Sequence, residues 1–213
     1  MKKYNSKDKT PITEIIMCRH GNKANPNHLT GGWTDLDLSE LGVKQAEILG
    51  NRLLKEFAPF DIAFSSHLKR AYRTCDIVCK KLNMTFSMHE ELSEMNYGDF
   101  KDKTDYEWKL KYPELANSIW NAHTKFPNGE SEFEFLKRVA DFFDKIVNEN
   151  CGKKILIIAH GGSLHAILRH LSKFPLDNRN GLIFCHNETA IDRIQIKDNE
   201  VKILSVNDTF HLI

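Results

Sequence analysis

The chain has 213 residues, 41% of them hydrophobic and 28% charged. That composition excludes collagen-like, coiled-coil and disordered classes and allows a core that buries about 70% of the unfolded surface. Thirty Lys and Arg stand against 29 Asp and Glu, a net charge of +1, so the broad basic footprint of a nucleic-acid binder is missing and any anion site must be local. No apolar run is long enough for a membrane span and the first residues are polar, which predicts a soluble, cytoplasmic chain with no membrane partner.

Residues 1–12, Lys-rich and ending near Pro11, are expected to form a polar tail, and residues 13–213 one domain. Ile15-Ile16-Met17-Cys18 is a continuous apolar run leading into Arg19-His20-Gly21, the pattern of a strand buried on both faces. Residues 22–37, with Pro26, Gly31 and Gly32, read as a loop. From Ser39, a plausible cap, the apolar residues Val43, Ala46, Gly50, Leu53, Leu54 and Phe57 recur at helical spacing, until Pro59 ends the helix. Ile62-Ala63-Phe64 predicts a second strand that runs into Ser65-Ser66. The cleanest amphipathic stripe follows: Leu68, Ala71, Tyr72, Cys75, Val78, Cys79 and Leu82.

Residues 99–129 mix Lys, Asp and aromatics with weak rhythm and are expected to pass over the sheet as a lid. Ser131 and Glu134 make a capping box ahead of Phe133, Leu136, Val139, Phe143, Ile146 and Val147, predicting a long helix that ends near Gly152. Lys154 to Ala159 is another apolar strand, followed by His160-Gly161-Gly162 and a helical face of Leu164, Ile167, Leu168 and Leu171. Ala190 to Ile196 and Val201 to Val206 predict two strands joined by a turn. Strands alternating with helices predict an α/β fold with a mostly parallel sheet, layered helix, sheet, helix. The five Cys are scattered and lack any Cys-x-x-Cys pair, so they read as reduced, mostly buried thiols.

Two apolar strands end in a His-Gly pair, at His20 and at His160. Ligands of open α/β sheets bind outside the carboxyl ends of the strands, so both histidines can converge on one pocket. Arg70 lies in the first turn of the amphipathic helix, off the apolar stripe. Alone it reads as a solvated residue. With Arg19 and the helix amides it is half of a phosphate clamp.

Together with Gly32-Trp33-Thr34-Asp35, Gln45-Ala46, Ser65-Ser66, Arg70-Ala71, Thr74, Glu94-Met95-Asn96-Tyr97-Gly98, Gly129-Glu130-Ser131, Ala159-His160-Gly161-Gly162 and Asn207-Asp208-Thr209, the chain resembles the histidine phosphatase superfamily, also called phosphoglycerate mutase-like. The resemblance implies a covalent mechanism on a small phosphorylated substrate, with no cofactor and no metal. His20 would be the nucleophile and form a phosphohistidine. Arg19, Arg70 and His160 would hold phosphoryl oxygens, and Glu94 would protonate the leaving oxygen and then activate water. Gly21, Asn22, Lys23, Gly32, Tyr97 and Gly161 would line the substrate.

An unprotonated imidazole is available near neutral pH, its reference pKa being about 6.5. His160 is expected to be charged. Glu94 lies in an acidic segment, so Glu90 and Glu91 stand as alternative acids and a solvated charge run as the non-functional reading.

The sequence departs from the family at several points. Asn22-Lys23 stand where many members carry Glu or Gln and then Thr or Ser, so Lys23 either adds a cation at the pocket mouth or points to water. Asp102 replaces a Gly after Gly98. Asn121-Ala122 replace the Arg pair with which mutases grip a carboxylate, and the usual mutase insertion is absent, which favours a phosphatase over a mutase. Two readings from other classes compete. A metal site at His160, His165 and His170 is disfavoured because steps of five do not share a helix face. A non-catalytic phosphate binder would need the cations but not Glu94.

Overall fold

The computed structural model describes residues 11–118, 120–178, 181–198 and 200–213. The reading of residues 1–10 as tail lies outside the described residues. Pro11 lies against Gly152, where an added Cβ would come within 2.7 Å of the proline ring.

The first strand, β1 (Thr13–Arg19), leads through a loop to α1 (Glu40–Glu56), then β2 (Ile62–Ser66), α2 (Lys69–Leu82) and a short β3 (Ser87–His89). Two short helices, α3 (Asp105–Lys111) and α4 (Pro113–Ala116), precede α5 (Glu132–Glu149), β4 (Lys154–Ala159), α6 (Gly161–Leu171) and the hairpin β5 (Ile191–Lys197) and β6 (Glu200–Asp208). The six strands run in the order β3-β2-β4-β1-β5-β6. Pairs among the first four are parallel, while β5 is antiparallel to both β1 and β6.

Helices cover both faces, which is why β1 and β4 read as unbroken apolar runs. Ile16, Cys18, Leu156 and Ile158 pack toward Leu49 and Leu53 of α1 and Cys75 and Val78 of α2. The alternate residues Ile15, Met17, Ile155 and Ile157 pack toward Phe135, Val139 and Phe143 of α5 and Leu164 and Ile167 of α6. The fold is the expected three-layer α/β arrangement.

Local signals held where a side chain closes its own backbone. Ser39 Oγ accepts from Gly42 N at 3.1 Å at the start of α1. At α5, Ser131 Oγ accepts from Glu134 N at 3.2 Å while Glu134 Oε2 accepts from Ser131 N at 3.0 Å. Other readings need correction. Tyr72 is at the rim of the α2 stripe, 37% exposed. The strand β3 carries no apolar run of its own and forms by pairing with β2. The thiols are mostly buried as expected, Cys18, Cys75 and Cys79 in the core, with Cys151 and Cys185 exposed.

Residues 99–129 are built differently from the core. Neither α3 nor α4 buries a residue, and the segment is held chiefly through Phe100, which stacks on Trp108 at 4.3 Å and meets Phe126 edge-on at 5.1 Å. Asp102 takes a left-handed backbone, φ +60°. It therefore keeps the turn that a glycine would make, because Asp tolerates that region better than most residues.

Candidate active site

Parallel pairing of β1 with β4 sets Arg19 opposite Ala159, so the next residues, His20 and His160, leave the sheet side by side. Their ring centroids are 5.0 Å apart, inclined at 61°. Burial follows, with His20 4% and His160 0% exposed.

The His20 ring is fixed as one tautomer. Nδ1–H donates to the Gly21 carbonyl at 2.7 Å, and Nε2 accepts from Arg70 Nε at 3.2 Å. Burial first, then the Arg70 guanidinium, hold His20 well below the ordinary imidazole range. Its Nε2 lone pair therefore stays unprotonated.

Arg70 is 3% exposed, not the solvated residue it resembles in isolation. Its Nη1 donates to the Thr34 carbonyl at 3.0 Å and Nη2 to the Gly32 carbonyl at 2.8 Å. Gly32 can offer that carbonyl because its backbone is left-handed, φ +61°, with Met95 O only 2.4 Å from where a Cβ would be. The amides at the start of α2 are not open to an anion as expected, since Lys69 N donates to Asp35 Oδ1 at 2.8 Å and Leu68 N to Ser66 Oγ at 3.2 Å.

His160 Nε2 is hydrogen-bonded with Ser66 Oγ at 2.8 Å. Its Nδ1 is buried without a hydrogen-bond partner, as is Arg19 Nε. Burial, then Arg70, push His160 well below the usual imidazole value, which favours the neutral ring over the charged state expected. The physical reason is burial first, then the Arg70 guanidinium, the His20 ring and Arg19, each of which penalises a charge on the imidazole.

Arg19 is held from the segment that leads into β5, a device the sequence did not reveal. Its Nη1 donates to the His186 carbonyl, and the His186 ring is paired with Asp192 at 2.7 Å, both side chains fully buried. Arg19 Nη2 also lies 3.7 Å from Glu188 Oε1. No local motif links these residues; only the antiparallel β1–β5 register brings them together.

Glu94 is half-buried, whereas Glu90 and Glu91 are exposed. Its Oε2 accepts from Gly162 N at 3.1 Å, in the first turn of α6, and its Oε1 from its neighbour Met95 N at 3.0 Å. A Cβ on Gly162 would fall 2.0 Å from Glu94 Oε1, so any side chain there would push the carboxylate aside. Behind it, Arg138 grips Glu130 with two bonds, 2.7 and 3.1 Å, and donates to the Glu91 carbonyl at 2.8 Å. This ion pair anchors the segment that carries Glu94.

Gly21 touches α1 closely, with Gly42 O 2.5 Å from a hypothetical Cβ, and its N–H donates to Thr74 Oγ1 at 3.1 Å. Asn22 does not reach into the site through its side chain, because Oδ1 accepts from Ser39 Oγ at 2.7 Å. Lys23 turns inward: it is half-buried, and burial, then Arg70 and Arg19, lower its pKa. Gly161 borders Arg19, whose Nε is 3.7 Å from a notional Cβ. The Tyr97 hydroxyl is pushed up to about 12 by burial and then Glu94.

The terminal Asn207-Asp208-Thr209 motif proves structural, since Asp208 Oδ2 takes Arg52 Nη2 at 2.6 Å and Asn207 Oδ1 accepts from Asn187 N at 2.7 Å. The three histidines of the competing metal reading separate. His165 Nδ1 accepts from Phe184 N at 3.2 Å and His170 pairs with Asp144 at 2.8 Å. Among the described residues no group of three or more His, Cys, Asp or Glu is placed to hold a metal, and no helix is long and apolar enough to cross a membrane.

Two imidazoles and Arg19 at the carboxyl ends of parallel strands, Arg70 in the first turn of α2 and a carboxylate on an adjoining loop are gathered at one end of the sheet of an α/β protein. The chain belongs to the histidine phosphatase superfamily (branch 1), whose family profile matches residues 15–209. It is 34% identical over 165 residues to a phosphoglycerate mutase of Schizosaccharomyces pombe, covering 74% of this chain and 78% of that one. Among solved structures it is similar to Bacillus stearothermophilus YhfR, with a TM-score of 0.81 at 26% identity, covering 94% of this chain and all of that one. The α-ribazole phosphatase of Shigella flexneri shares the fold, with a TM-score of 0.80 at 24% identity over 92% of this chain and 96% of that one.

Proposed function

We propose that the protein is a phosphomonoesterase that works through a phosphohistidine at His20. The observation that carries this reading is the fixed tautomer of His20, whose Nε2 lone pair is aimed among Arg19, Arg70 and His160. In the proposed reaction Nε2 attacks phosphorus as the bond to the leaving oxygen breaks. The bond from Arg70 Nε to Nε2 must pass to a phosphoryl oxygen for this to occur. Arg70, Arg19 Nε and His160 Nδ1 then spread the charge on those oxygens. Glu94 gives its proton to the leaving alkoxide, then takes one from the water that cleaves the phosphohistidine, and inorganic phosphate departs. A dianion between the histidines also favours a proton on His160, neutral until then.

Lys23 adds a cation at the mouth and residues 99–129 form the lid over the leaving group. The chemistry needs no cofactor, and a cytoplasmic setting suits reduced thiols.

A second reading, phosphoglycerate mutase-type transfer, is favoured by the name of the Schizosaccharomyces pombe relative. Against it, the cavity next to Glu94 is lined by Asn121 and no Lys or Arg among the described residues. The test is release of inorganic phosphate from p-nitrophenyl phosphate after exhaustive EDTA treatment, with an acid-labile label trapped on His20 in an alkaline quench. Conversion of 3-phosphoglycerate to its 2-isomer without phosphate release would establish the mutase. Activity lost on chelation and restored by a divalent ion would establish a metal hydrolase.

A further inference from the structure

The two ring nitrogens of His160 face different surroundings. Nδ1 has no hydrogen-bond partner and is the atom assigned to the phosphoryl group. Nε2 meets Ser66 Oγ at 2.8 Å, Ser66 Oγ meets Ser93 Oγ at 3.0 Å, and Ser93 Oγ meets His67 Nδ1 at 2.8 Å. These three bonds make one unbroken line from a buried ring to an exposed one. His160, Ser66 and Ser93 are fully buried, whereas His67, between β2 and α2, is exposed. None of Ser66, Ser93 and His67 takes part in the proposed reaction.

The line is held from outside itself. Arg138 Nη1 and Ser163 Oγ donate to the Ser93 carbonyl at 3.3 and 3.1 Å. The His67 ring lies edge-on to Trp33, centroids 5.3 Å apart, and the Trp33 indole N–H donates to the Glu94 carbonyl at 2.7 Å. Direction along the line is constrained too. A hydroxyl has one proton to give and two lone pairs, and Ser66 Oγ already accepts from Leu68 N at 3.2 Å. It must therefore donate to one of His160 and Ser93 and accept from the other. Every bond is made only when both hydroxyls point the same way, toward His160 or toward His67.

His160 has a use for such a line. Burial, then Arg70, favour its neutral ring, and a bound dianion favours the charged one. The same dianion lies against Nδ1, which leaves Nε2 as the way in for a proton.

We propose that His67, Ser93 and Ser66 are a proton relay that loads His160 from solvent when an anion occupies the phosphoryl site and unloads it when the anion leaves. The relay rests on the anion site of the proposed function, not on its chemical step. In the loading direction His67 takes a proton from water on Nε2 and gives up the one on Nδ1 to Ser93 Oγ. Ser93 passes its own hydroxyl proton to Ser66, and Ser66 passes its own to His160 Nε2. One proton leaves the solvent, one arrives at His160, each oxygen loses one and gains one, and both hydroxyls end pointing toward His67. Histidine suits the outer end because its ring can take a proton on one nitrogen and release one from the other near neutral pH.

The test reads ring protons, not turnover. Sulfate, a dianion throughout the neutral range, is added to the full chain carrying isotope-labelled imidazoles, and exchange of the His160 Nε2 proton with water is measured by NMR. Sulfate should place a proton on Nε2, and that proton should exchange readily although the ring is buried. Ser93→Ala cuts the line, while His67→Asn, an exposed change that spares the core, keeps a polar atom near the place of Nδ1 but cannot carry a proton through. Each should slow exchange by at least about 10-fold, because the buried proton then waits for local opening. The sign separates a relay from a scaffold. If the two residues merely support the site, their loss loosens it and exchange quickens.

Unchanged or faster exchange in either variant overturns the proposal, as does failure of sulfate to place a proton on His160 Nε2. Those results leave phosphate release through His20 to its own test. Slower exchange in both variants sustains the relay even if no phosphate ester is hydrolysed, and then only the catalytic reading falls.

Discussion

The phosphoryl site and the segment over it are held by different means. Arg19, His20 and His160 are fixed by strand register, and Arg70 by bonds to the Thr34 and Gly32 carbonyls. The same side chains that fill the core behind them would have to move before these groups could. Among the described residues of 99–129, by contrast, only Phe100 and Ala122 are buried, and the segment rests on stacked rings and a capping box at Thr104. The contrast teaches where chemistry and specificity reside. In the proposed mechanism the reacting groups are held by the sheet and its flanking helix, while residues 99–129 belong to a layer that can change its side chains without disturbing them.

The hardest blow to the sheet-bound half is His20→Ala. Phosphate release should fall by at least about 1,000-fold, as loss of a nucleophile does elsewhere, and the acid-labile label should vanish in a quenched single turnover. Near-normal turnover would remove His20 from the mechanism.

Glu94 lies on the boundary between the two regions. Glu94→Gln should slow phosphorylation by an alkyl phosphate roughly 100- to 10,000-fold, with a far smaller loss for p-nitrophenyl phosphate, whose phenolate leaves without a proton. Gly162→Ala should reproduce that pattern by displacing the carboxylate, with Arg19, Arg70 and His160 untouched. Equal losses for both leaving groups in single-turnover phosphorylation would argue against Glu94 as the acid.

Core substitution should separate the halves by stability. Leu156 is fully buried, and Leu156→Ala should cost about 2–5 kcal/mol in urea denaturation. Leu110, on α3, is 70% exposed, and Leu110→Ala should stay within about 0.5 kcal/mol. A comparable cost at both positions would erase the distinction.

The smallest expected effect is in pH. His20 has its pKa lowered by burial and by Arg70, so the acid limb of kcat/KM should lie below the free imidazole value of about 6.5. Arg70→Met should move that limb toward higher pH. Stability shares the sign: the unfolded chain binds protons on His20 and His160 that the folded chain does not, so stability should fall as pH drops below about 6.5. An acid limb that moves down in Arg70→Met would mean Arg70 does not govern His20.

Much of the frame was legible because its signals are local. Ser39 and Ser131 cap the helices they precede, and the β4 run matches its strand from Lys154 to Ala159. Resemblance singled out His20, Arg70, Glu94 and His160, and the fold gathers them. What escaped depends on neighbours distant in sequence. The His186–Asp192 brace behind Arg19 and the Arg138–Glu130 clamp behind Glu94 have no motif, because each joins elements whose proximity is set by packing.

By itself the sequence determined most of the strands and helices, since periodicity and caps act within a few residues of chain, and the resemblance it carries singled out the candidate reacting groups. Tertiary structure alone decided their states. His160 favours its neutral ring because burial beside Arg70 penalises its charge, Arg70 is buried because carbonyls at Gly32 and Thr34 receive it, and Asn22 faces Ser39 because α1 begins there. Charge, tautomer and orientation are properties of the surroundings that solvate a group, and those surroundings are assembled from the whole chain.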